Sequence, residues 1–268
     1  MNARKYLPVH QLKKKAEKRK RKIVGNPHVT VFNPLHASAK KPALSILSLA
    51  QYANFIYDQG QLGSCTACAF CAAFRIRTKV QRKYINFLPS PLFFYYNERV
   101  IEDTVQEDAG ADVVDGEAYA QQHGVCSENK WPYIEARFAV KPTPACYAQA
   151  LQYKIKSFQT ITQLGNDLLQ TMKTQLSNQT PLLIAIAVYD SFESSEVGTT
   201  GIVPIPNITG ESCLGGHEMC VIGYDDTRAA FFVQNSWGNK WGLKGRCYIP
   251  YAYITNPELC FEVTWFIL

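Results

Sequence analysis

Within one residue, at Cys65, the chain changes character. Tyr57-Asp58-Gln59-Gly60-Gln61-Leu62-Gly63-Ser64 is small and polar, whereas Cys65 to Gln81 is apolar and helical in its spacing. The junction predicts a helix start, where the first backbone N–H groups have no partners inside the helix. The positive end of the helix dipole lies there too, and a thiol at that point gives up its proton more readily. Gln59 adds a side-chain amide able to donate to an oxyanion, and the glycines allow a substrate close to the backbone.

A thiolate needs a base to take its proton and a group to orient that base. Gly215-Gly216-His217-Glu218-Met219-Cys220-Val221-Ile222-Gly223-Tyr224 sets a histidine at the head of an apolar segment suited to a buried strand, with two glycines leaving open backbone beside it. Further on, Asn235-Ser236-Trp237-Gly238-Asn239-Lys240-Trp241-Gly242 places an asparagine at a strand end. A core histidine and a turn asparagine are the ordinary readings of each taken singly. Asp58, Glu218 and Asp225 stand close to these groups in sequence; with cysteine and histidine present they are read as structural.

Through Gln59, Cys65, His217 and Asn235 in this order, and the tryptophan-glycine block after Asn235, the sequence resembles the papain family of cysteine peptidases. Gln61 to Ala67 is most similar to the bacterial and large-virus branch. The likeness runs from about Tyr57 to about Tyr248 and takes in Asp115-Gly116-Glu117-Ala118-Tyr119 and Gly124 to Tyr133. Two positions depart from the family pattern: Leu62 replaces a cysteine, which removes a familiar disulfide, and Thr66 replaces a tryptophan. Neither position transfers protons, so both are read as branch differences.

The resemblance implies an α+β fold of two lobes, one helical and one antiparallel β, with the cleft between them. It implies a Cys65–His217 thiolate-imidazolium pair oriented by Asn235, and an oxyanion held by Gln59 and the Cys65 N–H. Trp237 would cover the His217–Asn235 bond and Trp241 would border the leaving-group subsite. Substrate would run past Gly116, Gly215 and Gly216, with its side-chain pocket near Gly116, Ala187 and Gly215. Peptides or proteins are the expected substrates and an endopeptidase the expected activity, because no inserted loop with paired histidines caps the cleft. No metal, organic cofactor, nucleic acid or membrane is required. Two other readings stay open: a transglutaminase-type acyl transferase, which normally has aspartate where Asn235 stands, and an inactive binding protein that keeps the fold.

Charge divides the chain. Residues 1–42 hold 12 of its 28 basic residues against Glu17 alone of 22 acidic ones, so a surplus of +11 faces −5 in the remainder. Residues 1–42 are read as a basic extension and possible propeptide, and 43–268 as the peptidase domain. The lysine run from Lys13 to Lys22 repels itself and predicts disorder. The extension reads as a solvated tail, a targeting or nucleic-acid-binding segment, or an inhibitory strap of which an uncharged part between about Val29 and Pro42 lies extended against Cys65.

The start of the chain lacks an apolar secretory core, and an intracellular setting, in cytoplasm, host cytoplasm or virion, is expected. There the nine cysteines stay as thiols, although Cys126 and Cys146 flank a loop and can pair in an oxidising compartment. Cys65, Cys68 and Cys71 share helical spacing, but no second cluster completes a metal site. Asn178-Gln179-Thr180 and Asn207-Ile208-Thr209 match the glycosylation pattern, which has no use without secretion.

Overall fold

The computed structural model describes residues 45–84 and 86–268, together with Tyr6 and the backbone of Thr30–Val31. Strands β1 (Thr30–Val31) and β2 (Ile46–Ser48) precede three helices, α1 (Cys65–Val80), α2 (Pro91–Glu102) and α3 (Val113–His123). There follow α4 (Pro144–Ala150), β3 (Ser157–Thr160), α5 (Gly165–Ser177), β4 (Leu182–Tyr189) and α6 (Ser195–Thr200). The chain closes with β5 (Cys213–Asp225), β6 (Ala230–Gln234), β7 (Arg246–Pro250), α7 (Tyr251–Ile254) and β8 (Cys260–Ile267). Helices first and strands later make the α+β, two-lobe architecture expected from the sequence.

Local chemistry sets the helix ends. Ser90 caps α2 by accepting from the Phe93 N–H at 3.1 Å, with Pro91 in the first turn, and Asp112 caps α3 by accepting from Val114 N–H at 2.9 Å. Phe93, Phe94 and Tyr95 on α2 are wholly buried, each contributing roughly 2–3 kcal/mol of burial. Phe94 stacks on Phe70 of α1 at 4.1 Å, and Phe70 meets Phe266 of β8 at 4.9 Å, so one aromatic column joins both lobes.

The sheet runs β1-β3-β8-β4-β5-β6-β7, with β2 also pairing to β5, and every pairing except β1–β3 is antiparallel. β4 is buried continuously from Leu182 to Val188 and β5 from Gly215 to Asp225, as strands covered on both faces must be. β5 reaches back past His217 because its glycines continue the ladder with β4, Gly216 opposite Ala187 and Gly215 opposite Val188.

Thr30–Val31, the described part of the Val29 to Pro42 segment, adds to β3 at the sheet edge, four strands from β5. The rest of that segment and the lysine run lie outside the described residues.

A buried cation steadies the loop after α2. Arg99 is wholly buried, lies 4.0 Å from the Tyr95 ring centre, and donates to the carbonyls of Val105 (2.7 Å) and Glu107 (3.1 Å). The same loop presents Asp108, which accepts from the Gly63 N–H at 2.9 Å, two residues before Cys65. A side chain at Gly63 would meet the backbone of Gly110 at 3.2 Å, a tight approach.

Candidate active site

Cys65 is the first residue of α1 and is buried. Ser64 occupies the N-cap position, yet its side chain does not cap the helix. Its hydroxyl instead meets the Tyr133 hydroxyl at 2.5 Å, and Tyr133 donates onward to the Gln59 carbonyl at 2.8 Å. The first N–H groups of α1 are thus left for another acceptor, which a helix start with a serine cap would otherwise have used. Tyr133 is a positioning residue that the sequence did not single out; burial holds its phenol well above the ordinary range and therefore neutral.

Gln59 is fixed from three sides. Its Oε1 accepts from Ser236 Oγ at 2.6 Å, one Nε2 hydrogen goes to the Leu62 carbonyl at 2.9 Å, and its backbone N–H donates to the Ser236 carbonyl at 2.9 Å. The second Nε2 hydrogen remains for an oxyanion. Backbone bridging between Asp58 and Trp237 couples this loop to the strand end that carries Asn235. Asp58 also accepts from the Gly60 N–H at 3.1 Å, a structural role as expected.

On the facing wall, His217 Nε2 donates to Asn235 Oδ1 at 2.8 Å. The Ser236 N–H donates to that same Oδ1 at 2.7 Å, which fixes the orientation of the amide. Trp237 stacks over His217 at 4.8 Å and 28°, and Trp241 meets Trp237 edge-on at 5.0 Å. Phe192, stacked on Trp241 at 6.0 Å, completes this aromatic wall and was not foreseen.

Burial pushes the Cys65 thiol up to about 12. A backbone N–H of Glu218 pointing at the sulfur opposes that shift, while the carboxylates of Glu218 and Glu98 add to it. The thiol therefore lies against the residue next to His217. Thr66, at the position of the absent tryptophan, donates to Glu98 Oε2 at 2.9 Å, and burial holds the Glu98 carboxyl well above its usual range.

Among the expected substrate contacts, Gly215 and Gly216 lie on β5 beside His217, and Trp237 and Trp241 form the aromatic wall. Gly116 is buried in α3, where a side chain would come within 2.5 Å of Glu98 Oε1 and 2.6 Å of the Phe94 ring. Its missing side chain makes room for α2. All nine cysteines are free, and Cys126 and Cys146 sit in hydrogen-bonding contact as thiols.

Tyr6 reaches the same site. Its ring meets His217 edge-on at 6.3 Å and Trp237 at 6.5 Å, and its hydroxyl donates to Glu193 Oε1.

A profile of the papain family cysteine proteases matches residues 49–260. An uncharacterized peptidase C1-like protein of Acanthamoeba polyphaga mimivirus is 37% identical over 227 residues, 83% of this chain and 72% of that protein. Xylellain, a cysteine protease from Xylella fastidiosa, superposes with a TM-score of 0.77 at 30% identity, over 89% of this chain and 94% of that one. Digestive procathepsin L 3 of Tenebrio molitor shares the fold, with a TM-score of 0.66 at 19% identity over 94% of this chain and 79% of its own. Other curated relatives are matched over 54% to 58% of their length. The chain belongs to the papain family of cysteine proteases.

Proposed function

We propose that the protein is a cysteine endopeptidase working through Cys65, His217 and Asn235. The Cys65 thiolate attacks the peptide carbonyl, and the oxyanion is held by Gln59 Nε2 and the uncapped N–H of Cys65. His217 gives its proton to the leaving amine, then takes one from the water that hydrolyses the thioester. Asn235 keeps Nδ1 aimed at the sulfur, and Trp237 keeps water from the bond that does so. The observation that carries this reading is the His217–Asn235 bond at 2.8 Å under Trp237, opposite a helix start whose cap serine is occupied elsewhere.

The same reading includes a dormant form. Tyr6 covers the imidazole, and a buried thiol held up to about 12 stays protonated at neutral pH. Withdrawal of Tyr6 admits water and substrate, the desolvation falls, and proton transfer to His217 becomes favourable. The extension thus acts through Tyr6.

The test is hydrolysis of a fluorogenic peptide by wild type and Cys65→Ala, with circular dichroism to compare folds. Cleavage by the wild type and none by a folded Cys65→Ala is expected; cleavage by both would overturn the assignment.

A further inference from the structure

The segment from Cys126 to Tyr133 ends on the loop that carries Gln59 and Ser64, and its backbone is fixed along its length. The Glu128 N–H donates to the Leu88 carbonyl at 2.7 Å, and the Ser90 N–H donates to the Cys126 carbonyl at 2.9 Å. Ser90 Oγ, already the cap of α2, donates to the Trp131 carbonyl at 2.6 Å. At the end of the segment the Tyr133 phenol binds Ser64 Oγ at 2.5 Å and the Gln59 carbonyl at 2.8 Å. Tyr133 therefore touches the residue that supplies the side-chain oxyanion donor and the residue that precedes Cys65.

One carboxyl stands inside this frame. Glu128 Oε1 accepts from the Tyr133 N–H at 2.6 Å, and Oε2 is sealed from solvent with no hydrogen-bond partner. The titratable groups that face it are Cys68 and Cys71 of α1, Tyr57 of the loop before α1, and Cys126 of its own segment. Burial raises all four, so each is neutral at pH 7, and no cation among the described residues forms an ion pair with Glu128. Burial also pushes the Glu128 carboxyl up to about 7, and the Tyr133 N–H draws it back only in part. An ionised acceptor makes a shorter and roughly twofold stronger hydrogen bond than a neutral one. The hold on Tyr133 therefore changes when this carboxyl gains or loses its proton.

We propose that Glu128 is a positioning residue: ionised, it draws in the Tyr133 backbone, and through the Tyr133 phenol it holds Ser64 and the Gln59 loop where the oxyanion forms. The proposal rests on the peptidase reading above. Glu128 acts only through Tyr133. Once protonated it accepts as a neutral group, its grip on Tyr133 weakens, and Ser64 is released to cap α1 in the ordinary way. The site is thus set more firmly above neutral pH than below it, independently of Cys65 and His217. Because the oxyanion contacts strengthen in the transition state, the effect falls on kcat and leaves KM unchanged.

The test compares the full wild-type chain with Glu128→Gln, whose side-chain oxygen still accepts the Tyr133 N–H but carries no charge at any pH. Turnover of a fluorogenic peptide is measured from pH 4.5 to 8.5, and the ratio of wild-type to variant kcat is taken at each pH. The ratio cancels the titration of Cys65 and His217, which both chains share. It should be near 1 at the acid end and rise by about threefold to tenfold with a midpoint near pH 7, at equal KM. In a Tyr133→Phe background, which lacks the phenol, it should stay near 1 throughout. Melting temperatures over the same range give a second readout. The native carboxyl keeps a proton that the unfolded chain releases above the ordinary value of 4.5, so the wild type should lose stability relative to Glu128→Gln between about pH 4.5 and 7. A melting difference that is flat with pH would show that Glu128 does not titrate in this range and would overturn the proposal. So would a flat kcat ratio beside intact hydrolysis, because a merely structural carboxyl moves the melting temperature alone, or an equal rise in the Tyr133→Phe background. No hydrolysis by the wild type at any pH would instead sink the peptidase reading, and this role with it.

Discussion

The two walls of the cleft hold their chemistry by different means. On the helical wall, Gln59, Ser64 and Cys65 lie within a few residues, and a helix start places them. On the sheet wall, His217 and Asn235 come together because β5 pairs with β6 in one register, Cys220 opposite Gln234. A slip of one residue there would turn every side chain of β5 to the other face. Local geometry is visible in a sequence; register is visible only in a structure. Groups set by the first are therefore easier to name in advance than groups set by the second.

The difference is sharpest in the proposed nucleophile, Cys65, and its proposed base, His217. Cys65→Ala should lower turnover by about 10⁴-fold or more while leaving the melting temperature nearly unchanged, since only a sulfur is lost. His217→Ala should cost about 10²–10⁴-fold. Asn235→Ala should cost less, because Trp237 still constrains the ring; equal losses with intact folds would count against an orienting role for Asn235.

Next in size is the proposed oxyanion donor Gln59, which Ser236 of the sheet wall holds in place. Gln59→Ala should cost about 10²–10³-fold in kcat. Ser236→Ala leaves the amide present but loosely aimed and should cost no more than about tenfold. Steady-state kinetics on both variants would show the link between walls, and an unaffected Ser236→Ala would break it.

A smaller effect is expected where the extension meets the sheet wall. Tyr6→Ala removes an edge-on aromatic contact worth about 0.5–1.5 kcal/mol and should raise turnover of a small peptide by about threefold to tenfold. Glu193→Gln should give part of that gain. Unchanged rates in both would leave Tyr6 as a bystander.

Stability at high pH separates buried from exposed thiols. Burial raises Cys65, Cys68, Cys71, Cys126, Cys220, Cys247 and Cys260 above the ordinary value of 9.0. Above that pH the unfolded chain releases these protons while the native state keeps them. Their contribution is therefore complete below about pH 9 and declines as pH rises. Melting temperatures should fall steadily from pH 9 to 11; a flat profile would mean that the thiols are not buried. The least effect is expected from a reductant, which should leave the melting temperature within about 1 °C because Cys126 and Cys146 are free. A large drop would show that the pair oxidises in solution.

The helix that opens at Cys65 could be read in advance, because the small, polar run from Gln59 to Ser64 marks its start locally. The order of Gln59, Cys65, His217 and Asn235 was legible too. Strand β8 went unread, since nothing near Cys260 to Ile267 announces that Ala185 lies opposite. Glu218 was read as structural because sequence shows its neighbour His217 but not the thiol against its backbone. Tyr133 and Phe192 act across long separations, and Tyr6 does so from an extension whose charge drew attention to its lysines instead.

Of the nine cysteines, Cys213 is exposed and Cys65 is buried, so exposure and activation predict opposite outcomes for a thiol-directed epoxysuccinyl probe. The deciding measurement is the residue it modifies, identified by peptide mass in wild type and in His217→Ala. Modification of Cys65 ahead of Cys213, lost in His217→Ala, is the expected result. Modification of Cys213 first, or of Cys65 at an equal rate without His217, would contradict a thiol activated by the histidine facing it.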